Sequence, residues 1–286
     1  MFPEFLHFHV AESIDLFVKW LTVAWGPFFK YFSNFILGFL IHIKDLLLFI
    51  PWWLWISGVG IISWWQTRRV ITALSLMALL MTIGLFGLWT VAMETLAIVL
   101  TSVIMALIIG IPIGVAAAEF RHVSAIVKPL LDVMQTMPSF VYLIPALMLF
   151  GLGKVPGVIA TVIYAVPPVV RLTELGIRQV SSSIQEAALA FGATRWQLLR
   201  EVRLPLAMPS ILAGVNQTTM MALAMVVIAS MIGAGGLGEK VLVSINRMAV
   251  GNGFEAGMAV VALAIVIDRL TQGVARHWQP PEGISK

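Results

Sequence analysis

Between residues 92 and 118 the chain reads AMETLAIVLTSVIMALIIGIPIGVAAA, and Glu94 is its sole charged residue. A stretch this long and apolar fits one environment well. About 20 such residues, coiled as a helix, cross the hydrocarbon core of a bilayer. Comparable runs lie at about 46–65, 70–89, 130–150, 155–173, 206–232 and 257–275, so the reading predicts about seven spans, within a range of six to eight. The runs are continuous rather than alternating, which excludes the two-residue period of a membrane β-barrel. Charged residues make up 11% of the chain, against about 25% in a soluble domain. The expected fold class is an all-α polytopic membrane protein. There are no cysteines, so disulfides and thiolate metal sites are excluded.

The distribution of cations orients the spans. Arg68, Arg69, Arg121, Lys128, Arg171, Arg178, Arg195, Arg200, Arg203, Arg269, Arg276 and Lys286 fall on one side of the predicted bundle. Lys19, Lys30, Lys44, Lys154, Lys240 and Arg247 fall on the other. The richer side is expected to be cytoplasmic, which puts the C-terminal tail (276–286) inside and the N-terminus outside, in periplasmic space. Residues 1–45 mix aromatics with Glu4, Glu12, Asp15 and three lysines. They are expected to form amphipathic helices on the outer surface, with an eighth span through about 20–43 as the alternative. The N-terminus has no basic segment of the kind that opens a cleavable signal peptide. Residues 46–89 form a peripheral pair of spans, and 90–275 the core. Trp52, Trp53, Trp55, Trp64 and Trp65 bracket the first span as interfacial anchors.

Nothing in the chain supports catalysis. No P-loop is present. The run Gly233–Ala234–Gly235–Gly236–Leu237–Gly238 opens no βα unit and is expected to be a flexible external turn rather than a phosphate cradle. His7 and His9 lack the acidic or histidine partners of a metal site, so no metal and no cofactor bound by this chain is expected. Glu94, Asp132, Glu174 and Asp268 sit near span ends, where they can reach water; Asp268 and Arg269 are expected to act as an anchor pair. The sixth span carries the polar block Asn216, Gln217, Thr218 and Thr219, followed by Met220, Met221 and Met225. Such a block either bonds helix to helix or lines a path. Pro112, Pro138, Pro145, Pro167 and Pro168 lie within or beside spans, where each removes a backbone donor and can kink the helix. Met137, Pro138, Phe140 and Tyr142 share the path-or-packing choice of the polar block.

The polar stretch Ser183–Pro205, SIQEAALAFGATRWQLLREVRLP, interrupts the apolar runs. Ser183 and Glu186, and again Thr194 and Gln197, have capping-box spacing. Gly192 stands where a helix would close in the left-handed conformation, and Leu204–Pro205 is expected to stop the second helix. The pattern is helix–Gly–helix, on the cytoplasmic side, between two spans. A DNA-reading helix–turn–helix has the same outline, but membrane spans on both flanks keep this one from a major groove, so no nucleic-acid partner is expected.

Glu186, Ala187, Ala188, Gly192, Leu204 and Pro205 match a pattern of EAA, three residues, G, nine residues, I, one residue and LP, with Val202 in the isoleucine position. This resembles the EAA loop of permease subunits in bacterial ABC importers, whose fold is the type I, MetI-like permease. The resemblance covers about residues 90–275, with the loop at 181–205. LLLFIPWWLWI, GLWTVAMETLAIVLTSV, IGIPIGVAAA, LDVMQTMPSFVYLIPALMLFGLG and MVVIASMIGAGGLG resemble the glycine betaine/proline betaine branch, whose relatives carry choline, carnitine or histidine. The resemblance implies a homodimer in the bacterial inner membrane, two cytoplasmic ATPase subunits that bind ATP and magnesium, and an external substrate-binding protein. It implies docking of the loop on the ATPase, for which Ala187, Ala188, Phe191, Trp196 and Leu199 would supply apolar anchors. A passive osmolyte channel is the rival from another class, and it would have no use for such a loop.

Overall fold

A helix of 25 residues, Lys154–Arg178 (α8), is buried along most of its length and organises the packing of the others. The computed structural model of the chain describes residues 11–276, so the expectations for His7, His9 and most of the C-terminal tail lie outside the described residues. Before α8 come α1 (Ala11–Ala24), α2 (Gly26–Phe49), α3 (Trp52–Thr67), α4 (Val70–Leu85), α5 (Trp89–Glu119), α6 (Arg121–Thr136) and α7 (Leu143–Phe150). After it come α9 (Ser182–Ala190), α10 (Arg195–Gln197), α11 (Leu204–Ala229), α12 (Gly236–Asn246) and α13 (Val250–Arg276). The described residues hold no strand.

The breaks fall where the backbone demands them. Ile50 is extended before Pro51 and ends α2. Gly87, at φ +69°, turns the chain from α4 into α5. Met137, extended before Pro138, ends α6. The internal prolines Pro112, Pro129, Pro167, Pro168 and Pro209 are carried inside helices without ending them.

Five helices are long and apolar enough to cross a bilayer, six if α6 and the segment Ser139–Phe150 form one bent span. Every predicted span has its helix, with two differences. The span expected at 130–150 is broken by 111° at Met137–Pro138, and its first limb starts at Arg121. At 16 residues each, α3 and α4 are about 24 Å long at 1.5 Å per residue, short of a 30 Å hydrocarbon core. The boundary expected at residue 45 falls inside α2, which runs 24 residues to Phe49 and has the length and apolarity of a span. One end of α2 sets Phe29 and Phe32 against Phe150, and near the other the Leu47 carbonyl accepts the Trp55 indole N–H at 3.0 Å.

Close approach of α5, α8 and α11 is made by glycines. Gly110 of α5 lies directly against Val169 of α8. A Cβ on Gly114, one turn on, would stand 2.6 Å from the Thr173 Cβ and 2.8 Å from the Val170 carbonyl oxygen. On the opposite flank of α8, a Cβ on Gly176 would come within 2.6 Å of the Ser210 Cβ, and one on Gly214 of α11 within 3.1 Å of the Val169 Cα. In a bilayer, where lipid tails are as apolar as leucine, such backbone contact replaces the hydrophobic drive that packs soluble cores. Three buried hydroxyls bond back along their own helices, Thr101 to Ala97, Ser102 to Ile98 and Thr161 to Gly157, at 2.7–2.9 Å, whereas Thr173 beside Gly114 and Thr218 of α11 are buried without a hydrogen-bond partner.

Gly114→Ala is therefore expected to lower stability by about 1–3 kcal/mol through overpacking. Gly38→Ala, whose Cβ would meet nothing within 4 Å, should leave it unchanged or slightly raised. Thermal unfolding of both variants in detergent checks the contrast.

Candidate functional site

The polar segment between α8 and α11 folds as a capped helix, a glycine turn and a second helix. Gly192 has φ +86°, and the α9 end closes through Gly192 N–H to Leu189 at 2.9 Å and Ala193 N–H to Ala188 at 3.1 Å. No atom lies within 4 Å of a Cβ built on Gly192, so its requirement is conformational. The Thr194–Gln197 capping box is formed in both directions. The Ser183–Glu186 box is not. The first helix begins one residue earlier, at Ser182, its cap is Ser181, and Ser183 bonds the Ser181 hydroxyl instead at 2.7 Å.

Leu204–Pro205 does not stop the second helix. Residues Leu198–Arg203 form a π-helical turn in which the Leu204 N–H donates to Leu199, five residues back. The wider turn takes the proline ring without breaking the rod, as π-bulges often do at functional sites. Arg195–Ile232 thus becomes a single 38-residue helix.

The apolar side chains divide into two sets. Phe191 is 94% exposed and Trp196 67%, with Ala187, Leu189 and Glu186 also exposed. Leu199 is only 7% exposed, packed with Ile177, Ala207 and Ile211 inside the permease. That position does not suit the anchor expected of it on an outside partner. Leu189, which the sequence pattern does not single out, is exposed beside half-buried Ala188. Leu204 is half-buried against the same cluster and Pro205 is exposed. Arg203 forms an ion pair with Glu119 at the end of α5, and Arg178 donates to the Ala117 carbonyl at 2.8 Å. The segment is thereby tied to the α5–α8 crossing.

Above it, the polar groups resolve into structural contacts. Asn216 donates to Asp268 at 3.2 Å and accepts from Thr271, so it joins α11 to α13. Asp268 also accepts from Gln272 at 2.8 Å, which replaces the expected anchor pair with Arg269. Thr218 and Met225 are fully buried and Met221 packs on the core. Gln217 is exposed, on a face of α11 shared with Ala213 and Ala224. Phe140 is exposed beside the Met137–Pro138 break, whereas Tyr142 is buried, with its hydroxyl bonded to the Met134 carbonyl and its ring edge-on to Tyr164. Of the path residues predicted, Pro138, Phe140 and Gln217 are exposed, and the remainder are half-buried or packed.

The carboxylates are also better partnered than span ends in water require. Glu174 is buried and receives the Ser124 hydroxyl at 2.8 Å, Arg178 at 3.0 Å and Lys128 at 3.3 Å. Asp132 pairs with Arg171, and Glu94 with Lys154. The 233–238 run is packed, contrary to the flexible turn expected. Ala234, Gly236, Leu237 and Gly238 are buried, the Leu237 N–H donates to Thr95 at 2.8 Å, and Gly153 N–H donates to Ile232 at 2.9 Å. A Cβ on Gly236 would meet the Thr95 hydroxyl at 2.6 Å. No group of three His, Asp or Glu able to hold a metal occurs among the described residues.

The described residues form a helical membrane bundle that carries an exposed helix–Gly–helix between two of its spans. Residues 110–280 match the binding-protein-dependent transport system inner membrane component family, and the chain belongs to it. It is 47% identical over 265 residues to the glycine betaine transport system permease protein OpuAB of Bacillus subtilis, covering 93% of this chain and 94% of that one. It is 46% identical to the glycine betaine/proline betaine transport system permease protein ProW of Escherichia coli, over 93% of this chain and 74% of that protein. The glycine betaine/carnitine transport permease protein GbuB of Listeria monocytogenes is 47% identical, over 92% and 94%. Among solved structures, an inward-facing MetNI methionine ABC transporter matches with a TM-score of 0.59 at 22% identity, over 68% of this chain and 96% of that one. The fold is that of a MetI-like permease. Membership of the family implies ATPase and substrate-binding partners.

Substitution at the turn separates conformation from contact. Gly192→Val, forcing a β-branched residue to positive φ, is expected to cost about 1–2 kcal/mol locally, and Thr194→Ala about 1 kcal/mol through the lost cap. Protease accessibility of the 181–205 segment in the purified protein should rise in both variants, while the melting point of the bundle stays within a few degrees.

Proposed function

We propose that the chain is the permease subunit of an ATP-driven importer for a small quaternary-ammonium or zwitterionic osmolyte of the glycine betaine type. The observation that carries the coupling half is the division of the 181–205 segment. Phe191, Trp196, Ala187 and Leu189 face outward, while Leu199 and the Arg203–Glu119 pair fix the same rod to the core. Apolar side chains on a short, capped helix suit a groove on a partner, here a cytoplasmic ATPase that binds ATP and magnesium. The substrate half is supported by relatives whose names specify glycine betaine, at close to half identity over nearly the whole chain.

On this reading two copies of the chain form the pathway, each engaging one ATPase, with an external binding protein delivering solute. The segment and the end of α13 are cytoplasmic because the cation-rich loops lie there, and the Glu94–Lys154 end faces outward. The translocation surface includes the exposed face of α11 at Gln217, together with Phe140 at the α6 break. Because α2 has the length of a span, the segment 1–45 is assigned a membrane-embedded part rather than a purely interfacial one.

Reconstitution with the cognate ATPase and binding protein tests this directly. Wild-type proteoliposomes should accumulate glycine betaine on ATP addition and leave methionine and histidine outside. Uptake of histidine in preference to betaine would defeat the substrate half. Phe191→Ala with Trp196→Ala should cut uptake at least tenfold and weaken ATPase co-purification without lowering the melting point, since both side chains are exposed. Unchanged uptake in that double variant would defeat the coupling half.

A further inference from the structure

The seam between the α3–α4 pair and the rest of the bundle contains two adjoining cavities of opposite character. The first is a crevice of about 380 Å3, with Trp55 and Trp89 near one end and Leu100, Val103, Leu263 and Leu270 along it. The second, of about 320 Å3, is lined by Thr67, Arg69, Thr72, Arg269, Gln272 and Gly273. Both border one turn of α13, where Leu270 lines the first and Arg269 the second, with the Gln66 amide of α3 donating to the Leu270 carbonyl at 3.4 Å beside them. Along α3 the order is the same: Trp55 lines the crevice and Thr67, three turns further, lines the polar pocket.

Arg69 and Arg269 are exposed and form no ion pair among the described residues. The carboxylate beside Arg269 in sequence, Asp268, is occupied by Asn216 and Gln272. Two guanidiniums without a counter-charge therefore open onto the headgroup end of a cleft whose remainder is hydrocarbon-like. We propose that this seam binds an anionic glycerophospholipid, with the phosphate held by Arg69 and Arg269 and one acyl chain laid in the crevice. A guanidinium fork matches phosphate oxygens in a bidentate manner, and basic pockets between membrane helices on the cytoplasmic side take anionic headgroups. The crevice has room for roughly a dozen methylenes at about 30 Å3 each, the volume of a water molecule in the liquid. A zwitterionic lipid fits less well, because its ammonium would sit beside two unpaired guanidiniums. The seam joins the peripheral pair to α11 and α13, so the lipid fills an interface of the permease rather than a random patch of its perimeter.

Native mass spectrometry of the purified protein, exchanged into mixed micelles holding equal phosphatidylglycerol and phosphatidylcholine, reads the site. The wild type should retain phosphatidylglycerol at least tenfold over phosphatidylcholine. Arg69→Gln with Arg269→Gln should abolish that preference. Leu100→Trp, which fills the crevice and spares both arginines, should lower retention of the two-chain lipid several-fold. A diazirine on the acyl chain of phosphatidylglycerol, used with unmodified protein, should label α3, α4, α5, α11 or α13 at the crevice. Equal retention of the two lipids by the wild type, unchanged preference in the arginine double variant, unchanged retention in Leu100→Trp, or labelling confined to other helices would each overturn the proposal. Binding of glycerol phosphate as tight as that of the lipid would overturn it too, by making the pocket a site for free phosphate.

Discussion

Backbone-to-backbone contact at glycine, where α8 crosses α5 on one side and α11 on the other, is the constraint on which the remaining architecture rests. Gly110 and Gly114 seat against Val169, Val170 and Thr173, and Gly176 and Gly214 do the same against Ser210 and Val169. Lipid tails compete on equal terms with any leucine for an apolar surface, so fit and interhelical bonding must supply the cohesion. Where helices approach this closely, prolines inside them are tolerated: Pro112 and Pro168 interrupt backbone bonds within a tightly packed environment. The peripheral pair α3–α4 is held to α13 at one level where Gly273 seats against Gln66, and a cleft persists beside it.

The segment between α8 and α11 has to satisfy opposing demands. It must present apolar side chains to water, and it must not fray. Its answer is to anchor from below: a formed Thr194–Gln197 box, Leu198 and Leu199 turned inward, and an ion pair from Arg203 to the end of α5. The π-helical turn at 198–203 reconciles Pro205 with an unbroken rod. Breaking the Arg203–Glu119 contact would leave the outward side chains in place yet loosen their purchase on α5.

The long apolar helices, the spacing of the 181–205 segment and the turn at Gly192 were legible in the sequence, because each depends on local order: apolar run length, capping distances, positive φ; the helix Gly236–Asn246 and the 111° break at Met137–Pro138 were not. What was not legible depends on partners distant in the chain. Asn216 could be either a packing or a path residue until Asp268 and Thr271, more than fifty positions away, were placed beside it. Leu199 and Phe191 are equally apolar in the sequence, yet one is packed inside the bundle and the other almost fully exposed. Ser183 and Glu186 had the right spacing but lost to a competing hydroxyl at Ser181. The glycine-rich 233–238 run suggested mobility because its partners, Thr95 on α5 and Gly153 in the loop before α8, are distant in the chain. One local signal was readable and missed: Gly110 and Gly114 stand four apart in an apolar helix, the small-residue spacing of close helix pairs.

Glu174 carries a mechanical implication. Its buried carboxylate gathers Ser124 and Lys128 from α6 and Arg178 from its own helix, and a buried charge stripped of such partners costs about 3–5 kcal/mol. The two helices are therefore clamped into one body up to Met137–Pro138, where the bent span folds by 111°. A tilt of α8 would drag α6 with it like a crank arm. Beyond that joint the other limb is held separately, with Leu143 and Ala146 buried against Ala160 and Met225 and Phe150 edge-on to Phe29 of α2.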